Sequence, residues 1–142
     1  MAFDDRNVRW FPLGELKNFV VSMCDVDESR KVVDFLAKFA ANEQIILHRH
    51  LALTNTLVIQ GEHRVYEPDG RLKEIRPVGS YTSSVPGPPH REGGGDEDCV
   101  ILYSVRGGPD GALFELFADD GTVTKLGLED FLAVYREQQA AP

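Results

Sequence analysis

Three of the four histidines in this 142-residue chain fall at two points, His48-Arg49-His50 and the end of Val85-Pro86-Gly87-Pro88-Pro89-His90. In an extended strand residues i and i+2 point the same way, so His48 and His50 project from one face and Arg49 from the other. Two adjacent imidazoles form half of a metal site, because neutral imidazole suits Zn, Fe, Ni and Cu, and a third donor from elsewhere fixes the geometry. His90 can supply that nitrogen. The spacing leaves a second reading open, with two solvated histidines on a strand and an ordinary loop histidine, since a two-histidine pattern matches by chance far more often than a four-cysteine one.

The elements that must position these residues read as short strands. Leu16 to Val26 and Lys31 to Ala40 flank a polar turn, and in the second Val33, Phe35, Ala37 and Phe39 alternate with Asp34 and Lys38 at period two. Strand signals recur at Gln44 to His50, Asn55 to Gln60, Glu62 to Tyr66, Arg71 to Arg76 and Ser80 to Val85, with hairpin turns at Gln60-Gly61 and Pro68-Asp69-Gly70. Three more follow at Asp98 to Val105, Ala112 to Phe117 and Thr122 to Lys125. Only the tail shows helical spacing, with Leu128, Phe131, Leu132 and Tyr135 at intervals of three and four. The pattern predicts an all-β, single-domain antiparallel sandwich: an N-terminal arm over 1–15, strands over 16–126, and a helix over 127–139 that caps one edge or end. Arg91 to Asp98, with three consecutive glycines among acids, reads as a mobile solvated loop, or as a lid over the site because it begins just after His90.

Composition bounds the partners. A net charge of −8 and a sequence pI near 4.9, with scattered basic residues, exclude nucleic acid and anionic membrane as expected partners. No apolar run approaches the roughly 20 residues that span a bilayer. The N-terminal Met-Ala-Phe-Asp-Asp-Arg does not read as a secretory signal, which makes a cytoplasmic location the default expectation. Cys24 and Cys99 lie in no Cys-x-x-Cys pattern and are expected to be buried thiols.

From Asn42 to His90 the chain resembles the two motifs of the cupin superfamily, an RmlC-like, double-stranded β-sandwich related to jelly rolls. The first motif places three intervening residues between the His-x-His pair and a Glu, and six more between that Glu and a Gly. Here His50 is followed by Leu51-Ala52-Leu53, then Thr54, then six residues to Gly61. The second runs from Gly79 through Ser80 to Val85 into Pro86-Gly87-Pro88-Pro89-His90. The resemblance implies metal ligands His48, His50 and His90. Thr54 stands where the family has its Glu ligand, and a neutral hydroxyl is a poor ligand for a divalent ion, so the implied centre is three histidines without a carboxylate.

Such a centre is similar to the small cupin dioxygenases that cleave β-diketones and dihydroxyacetophenones on a three-histidine Fe(II). It departs from the two-histidine-one-carboxylate arrangement of most non-haem iron oxygenases. The resemblance therefore implies an oxidoreductase whose partners are dioxygen and a small diketone or hydroxyketone chelated through its oxygens. The divalent metal would be Fe(II), with Zn, Ni or Mn as alternatives. Three neutral ligands would leave the ion's charge undiminished and favour an anionic enolate.

Fold does not determine function, and cupins also serve as binding and regulatory modules. The competing expectations are a non-catalytic, zinc-holding module similar to anti-sigma cupin domains, and a metal-assisted hydrolase or isomerase, for which zinc suffices as Lewis acid. Around the centre, Thr54, Thr56 and Ser84 are candidates to orient substrate, against the plainer role of satisfied buried hydroxyls. Phe39 is a candidate pocket wall, with Phe35, although a core position is favoured for both. His63 reads as a surface histidine. Trp10 and Phe11 are expected to pack on the sheet or on a second subunit, and an exposed aromatic arm would suit a homodimer.

Overall fold

The computed structural model describes residues 3–141. Eleven strands and one helix follow one another: β1 (Phe19–Asp27), β2 (Val32–Phe39), β3 (Leu47–His50), β4 (Leu53–Gln60), β5 (His63–Tyr66), β6 (Leu72–Arg76), β7 (Tyr81–Ser84), β8 (Arg91–Gly93), β9 (Cys99–Arg106), β10 (Ala112–Phe117), β11 (Val123–Gly127) and α1 (Leu128–Ala140). All strand pairs are antiparallel, and the chain forms the expected β-sandwich with a C-terminal helix. One sheet has five strands in the order β1-β2-β9-β4-β7.

The other face is made of two three-stranded sheets, β11-β10-β3 and β6-β5-β8. Two backbone bonds join them, His48 N–H to the His90 carbonyl at 3.0 Å and His90 N–H to the His48 carbonyl at 2.8 Å. A third follows from Ile45 N–H to the Glu92 carbonyl at 2.8 Å. This seam matters most for the site, because residues paired in register across antiparallel strands project from the same face.

Period-two alternation builds the core. In β2, Val33, Phe35, Ala37 and Phe39 are all buried, as their spacing predicts. Phe35 stacks on Tyr103 of β9 at 5.1 Å and meets Phe131 of α1 at 5.1 Å, so the helix closes the aromatic interior. Gln138 of α1 also clamps the edge strand β1, accepting from Met23 N–H at 2.8 Å and donating to its carbonyl at 2.9 Å. The N-terminal arm covers the same edge, with paired backbone bonds between Phe11 and Val21 at 2.8 Å. Trp10 lies on the same molecule, donating to Asp5 at 3.0 Å with the Lys38 ammonium 4.6 Å from its ring. Both devices satisfy backbone groups that an open edge would leave unpaired.

Two expectations are corrected. Residues 91–95 are neither a solvated loop nor a lid: Arg91–Gly93 is a strand and Gly93, Gly94 and Gly95 are buried. Their glycines serve close approach, since a Cβ at Gly93 would fall 1.9 Å from the Glu43 carbonyl oxygen. Only Asp96, Glu97 and Asp98 remain exposed. Cys24, expected to be buried, is exposed because it sits at the β1 bulge between Met23 and Asp25, whereas Cys99 is buried and its thiol pKa is pushed up to about 12 by desolvation.

Gly93→Ala should therefore destabilise the protein by about 1 to 3 kcal/mol through overpacking. Gly108→Ala, where nothing lies within 4 Å, should change stability by no more than roughly 0.5 kcal/mol. Urea unfolding of the two variants checks the contrast.

Candidate metal centre

β3 carries His48 and His50 inward on the same face while Arg49 turns out to pair with Glu115 at 2.6 Å. The seam brings His90 beside His48, with ring centroids 4.7 Å apart, and His50 and His90 are 4.9 Å apart. All three expected ligands thus converge. A fourth donor joins them: Glu92, 3% exposed, points into the same cluster, and one donor atom from each of the four residues lies within 4.8 Å of the others. Glu92 Oε2 stands 2.5 Å from His48 Nε2, 3.6 Å from His50 Nε2 and 3.4 Å from His90 Nε2.

The expected carboxylate-free centre is thereby corrected. Thr54 does occupy the position of the lost glutamate, but a carboxylate enters from β8 in its place. The strand rule that pairs His48 with His50 also pairs His90 with Glu92, and it is concealed in the sequence because Gly93-Gly94-Gly95 reads as a loop.

Tautomers are set by what each ring's second nitrogen meets. His48 Nδ1 faces the Ile46 carbonyl at 2.8 Å, which can only accept, so Nδ1 carries the proton. Thr54 donates its hydroxyl to the Ala52 carbonyl at 3.0 Å, which leaves its oxygen to accept from His50 Nδ1–H at 3.1 Å. With the proton on Nδ1, each ring turns its Nε2 toward the cluster, the arrangement of metal-ligating histidines. His50 Nε2 is buried without a hydrogen-bond partner. A buried nitrogen lone pair left unmatched among three other donors is what a cation would satisfy, and the set fits a divalent metal.

Glu92 is held from behind. Its Oε1 accepts from His63 Nε2 at 2.6 Å and from the Tyr103 hydroxyl at 3.1 Å. His63, expected at the surface, is fully buried, because β5 begins at His63 and turns it inward in phase with Val65. Burial opposes the Glu92 charge, yet the four histidines around it hold its carboxyl well below the usual range. Burial lowers the pKa of His50. At His90 burial acts in the same direction, but the Glu92 hydrogen bond and charge outweigh it, so its pKa is raised.

His50, His90 and Glu92 line a cleft of about 320 Å³. Thr54, Thr56 and Ser84, expected beside the centre, line it, joined by Thr82 and the Arg76 guanidinium. Thr56 and Thr82 hydroxyls bond across β4 and β7 at 2.5 Å. Phe39 does not reach this cleft: it is 1% exposed and packs between Phe19 and His63, a core residue.

No protein-family model matches the chain, and no curated protein matches it. Solved structures do. An RmlC-like cupin protein from Ralstonia eutropha JMP134 superposes with a TM-score of 0.74 at 16% identity, over 96% of this chain and 85% of that one. An acetylacetone dioxygenase from Acinetobacter johnsonii gives 0.70 at 14%, over 97% and 91%. A candidate acetylacetone dioxygenase from Methylibium petroleiphilum PM1 gives 0.71 at 15%, over 99% and 94%. The chain has the cupin fold that its two histidine motifs resemble.

Two predictions follow from the cluster. His63→Phe removes the donor behind Glu92 and should weaken divalent-metal affinity about 10- to 100-fold, while His63→Gln restores part of it, as measured by zinc titration calorimetry. Acid should release metal early. A proton competes with metal for His90, and its raised pKa means that competition begins above the ordinary imidazole value of 6.5. Affinity should therefore already fall as pH drops toward 6.5, and His90→Gln should remove that part of the profile.

Proposed function

We propose that this protein is a metal-dependent cupin oxygenase that cleaves a carbon-carbon bond of a small diketone or hydroxyketone with dioxygen. The observation that carries the reading is the convergence of three imidazoles and one buried carboxylate beside an open cleft. The likeness in fold to acetylacetone dioxygenases supports it.

His48, His50, His90 and Glu92 would hold the ion. A divalent metal there supplies Lewis acidity and, as Fe(II), redox reactivity toward dioxygen. With Glu92 among the ligands, one of the ion's two positive charges is neutralised, which still favours a monoanionic enolate. Thr54 keeps the His50 lone pair directed inward. Thr56, Thr82 and Ser84 present hydroxyls, and Arg76 a guanidinium, to substrate oxygens entering the cleft. Tyr103 and His63 keep Glu92 from rotating away from the cluster.

One observation favours a second reading. Four protein donors match in number the ligand set of a closed zinc site, which would make the chain a metal-holding module. Metal analysis of protein purified without added metal, followed by oxygen uptake with Fe(II) and a panel of β-diketones, separates the two. The oxygenase reading expects stoichiometric oxygen consumption with iron restored, abolished in His90→Ala. Zinc at full occupancy with no oxygen uptake after iron exchange sinks it. Glu92→Gln should lower metal affinity without unfolding the chain.

A further inference from the structure

A second cavity reaches the cluster. It measures about 30 Å³ and shares only Glu92 with the open cleft. Apart from His48, Glu92 and Tyr103 its walls are aliphatic and phenyl side chains, including Leu13, Leu16, Ile45, Leu116 and Leu126. The polar atoms it meets are already engaged: His48 Nε2 with Glu92, and the Tyr103 hydroxyl with Glu92 Oε1.

Its size and lining select the occupant. A water fits in about 10 to 15 Å³ but needs two to four polar partners, which these walls do not offer. Benzene-sized guests occupy cavities of about 150 Å³. A volume of 30 Å³ between these limits, dry and apolar, suits a nonpolar diatomic. Leu16 and Leu116, both half-buried, line it together with the buried His48 and Glu92. We infer that this cavity is a binding site for molecular oxygen, which reaches the centre separately from the organic substrate in the polar cleft. The choice of oxygen rests on the oxygenase reading, whereas the cavity rests on the packing of the chain itself.

Dioxygen is paramagnetic and speeds the relaxation of nearby methyl groups, so its position can be read in metal-free protein. Methyl-labelled protein is placed under oxygen pressure and compared with nitrogen. The methyls of Leu13, Ile45 and Leu126 should relax faster than those of Val58 and Val105, which are likewise buried but line neither cavity. Leu16→Phe, at a half-buried position, should abolish the excess at Ile45, and Leu116→Phe should do the same from the β10 side. Uniform enhancement across all buried methyls, or an excess unchanged by both fillings, overturns the proposal. Because the map uses no metal and no turnover, a failed oxygen-uptake assay leaves its outcome unaffected and speaks only to the proposed activity.

Discussion

A buried carboxylate is the constraint around which the fold is organised. Taking an ionised Glu92 out of water costs several kcal/mol unless each oxygen is paired. Both oxygens are. Oε1 takes the His63 and Tyr103 donors, and Oε2 faces His48, His50 and His90. Those five partners come from β3, β5, β9 and the segment just before β8, so satisfying one charge ties all three sheets together. The same demand explains why 91–95 must lie inside the sheet, where only glycine tolerates the contact with Glu43.

The centre divides two environments. On the cleft side, threonine and serine hydroxyls with Arg76 form a wall that can exchange hydrogen bonds with an oxygen-rich ligand. On the other, Phe35, Phe39, Phe114 and Phe131 continue the hydrophobic core to the edge of His48. The division follows from strand phase. In β4, Thr54 and Thr56 are inward beside the cluster, whereas Val58 two residues further enters the apolar interior. The cluster therefore borders a polar cleft through His50, His90 and Glu92 and an apolar cavity through His48 and Glu92.

Thr54 stands where the motif the chain resembles has a glutamate, and here it holds a histidine in place. Its hydroxyl cannot supply the charge of a glutamate, but its bond to the Ala52 carbonyl leaves a lone pair that orients His50. The charge then has to come from elsewhere, and β8 provides it across the His48–His90 seam. Metal affinity in this arrangement depends as much on the groups behind the donors as on the donors.

Much of this was legible in the chain. The alternation of Val33, Phe35, Ala37 and Phe39, the hairpin turns, and the i, i+2 spacing of His48 and His50 follow from local geometry, because a strand's side-chain period is two wherever the strand lies. The inward direction of two ligands and the helical tail were therefore determined by sequence. The convergence of His90 was implied by resemblance to known motifs. Glu92, His63 and the closed seam were decided by tertiary structure alone. Which residue sits inside depends on register between segments distant in sequence, and on close backbone approaches that make a glycine run structural. Local pattern carries no record of either.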